Sequence, residues 1–596
     1  MKKKFVSMIL CAAMAVSMVT GCGAEKSAAV PEAQGQQAAE GVSGENSKYE
    51  EFLTVDVFDS QANHQGIQSG WFAKIVKDKF NMELNIIAPN VAGGGDTLFQ
   101  TRSAAGNLGD LIFTSADRGR LQDLVTAGLV MDMTDLIKGE ENLERYRDAI
   151  EYSNKELVEE EGIYMIPSEV TTLSPTTPME GTDCNSGVYL RWDLYEELGC
   201  PELNTVEDML DVLKEMQELC PESDSGKKTY AFSLFKDWDD NAMKQGAWLP
   251  SLYGYRFMGD AVYSADDSLP PQSLVDENSV YVRNLKLFFT ANQMGLMDPE
   301  STTQNYDTLY SKYKDGAVLF SPWPWLGQAA YNVTEHVEEG KGFMAIPVAD
   351  TQIYSWGCYA KGNPANSAMI GSKAQDPQRM ADFIDWLYSP EGIGNSAGHS
   401  VTLSGPEGLT WEEKDGKPYL TEYGKEAMQG GDPQNIPVPE EWGGGNFSDG
   451  ANRIVSSVVY KMDTNPTYNE PYDPSMWSTT MQENRTKIDE QWTETFGSEW
   501  PLDYVAEKNA LHPMPGIAYR KPQDSGDIKT KRSQCGEVIK EYSWKMVYAE
   551  DENTFKSLWQ EMKDKIKGFG YDEVLAYDLE NLKVIQKATE EALAGN

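Results

Sequence analysis

The chain reads as an α/β fold divided into at least two lobes. Strand, helix and strand alternate in under forty residues at the start of its folded body, a rhythm that goes with parallel pairing. That body is about 545 residues long, more than one hydrophobic core usually serves, and no internal repeat divides it otherwise.

The elements follow from periodicity. The run 52–58 alternates as a strand; apolar residues at 71, 72, 75, 76 and 80 have helical spacing; Leu84–Ile87 is a second short strand. A helix over 96–105, a strand over 110–113 and a helix over 121–127 continue the pattern. After a Thr/Pro-rich crossing at 171–185 comes a strand at 187–190. The next helix carries Val206, Met209, Leu210, Leu213 and Met216 on one face, with Thr205 and Asp208 spaced as an N-terminal capping pair. A helix over 379–388 stops at Ser389-Pro390. The stretch 410–450 is mostly loop, with a hairpin turn at Lys414–Lys417. Near the end, Phe555, Leu558, Trp559, Met562 and Ile566 form a stripe that reads as packing.

The N-terminus carries Lys2, Lys3 and Lys4 ahead of an apolar run over 5–19, too short to span a bilayer, which takes about twenty residues, and therefore a secretory signal. Val19-Thr20-Gly21-Cys22 resembles the lipobox of bacterial lipoproteins, which implies a lipid (diacylglyceryl, with palmitate-type chains) on Cys22. Two acyl chains give stable anchoring where one is marginal. Residues 23–48 hold Ala, Gly, Gln, Ser and Glu with no aromatic, the composition of a flexible tether. The expected location is the extracellular face of the cell membrane, in an envelope without an outer membrane.

A formal charge of −43 repels nucleic acid and anionic lipid and counts mildly against polyanionic substrates. Cys184, Cys200, Cys220, Cys358 and Cys535 are too scattered for a disulfide framework, although one bridge is open, and the four histidines lack metal-ligand spacing. No cofactor and no metal are expected.

Three distant stretches resemble the large extracellular solute-binding proteins that deliver sugars to ABC importers. Gly109–Arg118 resembles the strand and loop of maltodextrin-binding proteins in which an Asp-Arg pair bonds sugar hydroxyls; Asp117 and Arg118 fall on that pair, with Thr114 where an aromatic stands. Tyr313–Trp325 resembles a passage whose first tryptophan stacks on a pyranose; Trp323 matches it, and Ser321 replaces a glycine. Asp382–Gly392 resembles a helix and turn common to the family. The length and terminal helices are similar to the longer oligosaccharide- and oligo-uronate-binding lipoprotein branch. Some longer relatives carry a calcium loop near Pro221–Lys227, but acids are sparse here and Ser233 stands where a closing carboxylate is wanted, so calcium is not expected.

The resemblance implies a two-lobed periplasmic-binding-protein-like fold, each lobe a mainly parallel sheet flanked by helices, with extra C-terminal helices. The expected segments are 1–21 signal, 22–48 tether, 49–180 and 353–402 first lobe, 187–352 and 403–549 second lobe, and 550–596 terminal helices. Hinge crossings are expected at 170–186, 352–356 and 400–405. A pyranose has apolar C–H faces and a hydroxyl rim, so it wants flat aromatics beside carboxylates and guanidinium groups. Among 15 Trp, Trp323, Trp325, Trp248, Trp356 and Trp442 join Asp117 and Arg118 as candidate ligand residues. The expected function is a non-enzymatic, monomeric sugar-binding lipoprotein that serves an ABC-transporter permease. The alternatives are a surface glycoside hydrolase, which needs two carboxylates about 5–10 Å apart, and a peptide-binding or adhesive lipoprotein.

Overall fold

In the computed structural model, residues 48–91, 95–243, 246, 249–264, 269–359, 361–396, 402–429, 435–451, 458–517, 522 and 524–594 are described. The signal, Cys22 and nearly all of the tether lie outside them, as does Trp248.

The first lobe is built on a six-stranded sheet. Its order is Gly66–Ile67, Met82–Ile87, Leu53–Asp59, Leu111–Thr114, Asn363–Ile370, Ile166–Ser168. The three strands Met82–Ile87, Leu53–Asp59 and Leu111–Thr114 pair in parallel, with Val55 opposite Leu84 and Val57 opposite Leu111. The pairings outside them are antiparallel. The expectation of a mainly parallel sheet therefore holds only for the centre. Asn363–Ile370 enters from the other half of the molecule, running against both of its neighbours. Helix Gly70–Phe80 buries Trp71, Phe72, Val76 and Phe80, four of the five apolar side chains its spacing places on one face, and leaves Ile75 half-buried.

The second lobe centres on Tyr189–Arg191, paired antiparallel with Phe320–Ser321 and Phe343–Ala345. This ladder is short and wholly antiparallel, a correction to the expected parallel sheet; among the described residues parallel contacts appear here as single bridges, such as Tyr230 to Val318 and Phe232 to Met297, and as the separate two-stranded ladder Ile353–Trp356 with Leu511–Met514. Thr205 and Asp208 form the expected reciprocal cap. The terminal helices Gly526–Val547, Glu552–Gly568 and Tyr571–Ala594 attach here: Ile539, Phe555, Met562, Ile566 and Tyr571 join the second core. Burial of a side chain of this size is worth about 1.5–3 kcal/mol, which makes the stripe a packing face.

Among the described residues the chain passes between the two cores three times. Val170 belongs to the first core and Cys184 to the second; Ile353 to the second and Ala368 to the first; Tyr472 to the first and Ile488 to the second. Of residues 409–472, grouped above with the second lobe, the described Leu409, Ala427, Ile436, Val438, Phe447 and Val459 pack on the first core. The Gly- and Pro-rich surroundings of 400–405 look like a linker. They lead instead into a hairpin, Trp411–Lys414 with Lys417–Leu420, turned by Asp415 and Gly416 in left-handed conformations.

Candidate functional site

The strand Ile353–Trp356 lies at the second crossing and pairs in parallel with Leu511–Met514. It brings together side chains from distant segments. Glu180, from the first crossing, is buried; its carboxylate accepts from the Ser355 hydroxyl and from the Trp356 backbone N–H at 3.4 Å. Burial pushes the Glu180 carboxyl up, against those hydrogen bonds. Arg256 donates to the Tyr354 hydroxyl at 2.9 Å. Its guanidinium lies 4.5 Å from the Trp356 ring centre, and Trp356 is 36% exposed. Tyr354 and Trp356 meet edge to face at 5.3 Å. One tryptophan thus stands partly open to solvent with a cation over its ring and a tyrosine meeting it edge to face.

The loop with Asp117 and Arg118 leaves the carboxyl end of Leu111–Thr114, where open α/β sheets bind ligands. Ala116 N–H donates to Pro364 O at 2.8 Å, which ties the loop to the chain just past the second crossing. Asp117 accepts from the Arg118 backbone N–H at 2.9 Å, and Arg118 is exposed in a left-handed conformation. Both line a cavity of about 550 Å³ together with Phe99 and Arg120.

On the second lobe, Pro322 O accepts from Gly187 N–H at 3.0 Å, so the segment Pro322–Trp325 sits where the first crossing ends. Trp323 is 2% exposed and stacks on Trp325 at 4.8 Å and 10°. One face of the indole that the resemblance assigns to a sugar is therefore against another indole. From Trp325 the row continues to Trp238 at 5.9 Å, to Tyr306 at 4.9 Å and to Tyr310 at 5.9 Å. These outer rings are half-buried. Trp442 is elsewhere: it lines a cavity of about 650 Å³ in the first lobe, to which Asp117, Arg118, Trp323, Trp325 and Trp356 do not contribute.

Sequence reasoning did not name Glu180, Arg256, Tyr354, Tyr306 and Tyr310 as candidates, and marked Trp238 only as a tryptophan in a loop without periodicity. Tyr306 and Tyr310 are four apart on helix Tyr306–Lys314, a spacing that signals a shared face; nothing in the sequence marked Glu180, Arg256 or Tyr354. The segment Pro221–Lys227 is closed by Asp315, whose carboxylate accepts from Ser223 and Ser225 hydroxyls at 2.8 Å and lies 3.8 Å from the Lys227 ammonium. These hydrogen bonds hold the Asp315 carboxyl below its ordinary range, against its partial burial. Among the described residues no group of three or more His, Cys, Asp or Glu is placed to hold a metal ion, and Cys184, Cys200, Cys220, Cys358 and Cys535 are free thiols.

Two α/β lobes joined, among the described residues, by three passages, with aromatic side chains gathered where the passages begin and end, have the architecture of a periplasmic-binding-protein-like fold. The chain belongs to the bacterial extracellular solute-binding protein family, whose model matches residues 65–393. No curated protein matches it. Among solved structures it is similar to the alginate-binding protein AlgQ2 without calcium ion (16% identity, covering 90% of this chain and 98% of that one, TM-score 0.52). It is similar also to the S. pneumoniae ABC-transporter substrate-binding protein FusA in complex with kestose (14%, 91% and 100%, TM-score 0.54). A third is an HMO-binding, ABC-transporter-associated solute-binding protein from Bifidobacterium longum infantis (13%, 91% and 99%, TM-score 0.55). At these identities the likeness is one of fold.

Proposed function

We propose that this protein captures an oligosaccharide between its lobes and delivers it to the permease of an ABC importer, as a monomer held to the outer face of the cell membrane by lipid on Cys22. The observation that carries the reading is the row Trp325–Trp238–Tyr306–Tyr310 beside one end of a crossing, with Trp356 open at another. Flat rings suit pyranose faces, and Arg256, Glu180, Asp117 and Arg118 supply groups for the hydroxyl rim. That the AlgQ2, FusA and Bifidobacterium proteins are described with alginate, kestose and HMO supports a carbohydrate. Closure takes place about the three passages, and the permease reads the closed form. Trp323 acts here as the buried support of Trp325. Residues 49–180, 353–402 and the stretch to 472 are proposed as the first lobe, with 187–352 and 488–549 as the second.

Thermal-shift screening of the full-length protein against oligosaccharides and peptides tests the reading. A ligand at a hundred times its Kd adds about 2.7 kcal/mol of stability. Stabilisation by sugars is expected; stabilisation by peptides and no sugar would overturn the proposal, as would turnover of dye-linked oligosaccharides. For the anchor, Cys22→Ala should abolish labelling with radioactive palmitate and release the protein from membranes.

A further inference from the structure

We propose that the first lobe carries a second carbohydrate site, in the cavity that contains Trp442. The cavity, about 650 Å³, is within the range of small-ligand sites. Trp386, Trp411, Trp442 and Tyr468 line it. Two of the indoles are fixed: Trp386 N–H donates to Glu391 Oε2 at 3.1 Å and Trp411 N–H to Gly405 O at 3.1 Å. Tyr468 braces Trp411 edge to face at 5.4 Å. The turn after Trp442 is set by Gly443, Gly444 and Gly445, all left-handed, conformations that side-chain-bearing residues rarely adopt.

The polar side of the cavity points to a hydroxyl donor. Asn395 also lines it and is 6% exposed. Its amide N–H donates to Glu391 O at 2.8 Å, while its Oδ1 has no hydrogen-bond partner. That oxygen is itself sealed from solvent; an acceptor left unmade is costly, so a ligand hydroxyl that displaces the side chains around it would satisfy it. Glu391 adds a second acceptor. Its charge is matched by Lys79 at 2.8 Å; Glu407 lines the cavity as well, and among the described residues no basic side chain does, which disfavours a uronate. Flat apolar walls with unfilled acceptors and a carboxylate at the rim select a neutral sugar over an anionic one. Such a site would hold one end of a long glycan, or a second glycan, on the lobe opposite the aromatic row and raise its effective concentration there.

This inference does not depend on the proposed cleft, and the test separates the two. The full-length protein in a sugar-free detergent is titrated with maltotriose, cellotriose, raffinose and kestose at millimolar concentrations, read by saturation-transfer NMR. The expected result is a binding phase weakened at least tenfold by Trp442→Ala and by Asn395→Leu, kept within about threefold by Trp442→Phe, and insensitive to Trp356→Ala. Circular dichroism melting confirms that each variant is folded. A phase sensitive to Trp356→Ala alone overturns the second site and leaves the cleft standing. Absence of any phase sensitive to Trp442 or Asn395 overturns it as well.

Discussion

Trp323 and Trp356 are the same residue type, each at one end of a crossing, in opposite settings. Trp323 is 2% exposed beneath Trp325, and Trp356 is 36% exposed beneath Arg256. The motif fixed the backbone position of Trp323, but which face is open depends on what packs on the indole from elsewhere. The largest expected effect follows: Trp323→Ala should cost about 3–5 kcal/mol of stability, the range for truncating a buried aromatic, whereas Trp356→Ala should cost under about 1 kcal/mol, as for a surface substitution. Chemical denaturation of both variants checks this. Equal losses would erase the contrast.

Binding should invert that order. Trp325→Ala removes a half-buried ring from the row and should weaken sugar binding about tenfold, or roughly 1.4 kcal/mol, as should Trp356→Ala, with little change in melting temperature. Calorimetric titration with the sugar found by screening measures both. A smaller effect is expected from Arg256→Met, which takes the guanidinium off Trp356 and Tyr354: about 0.5–1 kcal/mol for a partly exposed cation–π contact, with a shift in indole emission. No shift would mean that the cation does not hold the ring.

How much of this was legible in the sequence varies by element. The Thr205–Asp208 cap and the Asp415–Gly416 turn were readable because each is a local contest that neighbouring residues decide. So was the side of helix Gly70–Phe80 that meets the sheet. The antiparallel entry of Asn363–Ile370 was not, since its neighbours Leu111–Thr114 and Ile166–Ser168 lie far away in the chain. Nor was the return of Leu409–Tyr472 to the first core: its apolar residues fit either lobe, and only tertiary packing chooses. Among the candidate ligand residues, Asp117 and Arg118 were named by a motif just past a strand end. Glu180 and Arg256 became visible only when Ser355 and Trp356 were found beside them.

The last and smallest effect concerns what holds Arg256 against Trp356. Arg256 sits in the hairpin Tyr255–Met258 with Ala261–Ser264, whose turn is clamped by an ionic cluster. Arg532 pairs with Asp578 at 2.7 Å, Asp524 at 2.7 Å and Asp260 at 3.2 Å, and Asp260 N–H donates to Asp578 at 2.7 Å. Three carboxylates face one guanidinium. Burial, then the charge of Asp578, pushes the Asp260 carboxyl up to about 7 despite Arg532. In the unfolded chain it returns to about 3.9, so the folded state binds the proton more tightly. The stability this supplies is fully present below about pH 4 and is lost as pH rises through about 7. Asp260→Asn mimics the protonated form. It should match the parent at pH 4 and exceed it at pH 8, in denaturation measured at both. The emission of Trp356 should change with pH in the parent and not in the variant, while the buried Trp323 end of the row stays silent in both. A variant advantage equal at the two pH values would place the titration elsewhere and uncouple the hairpin from the exposed tryptophan.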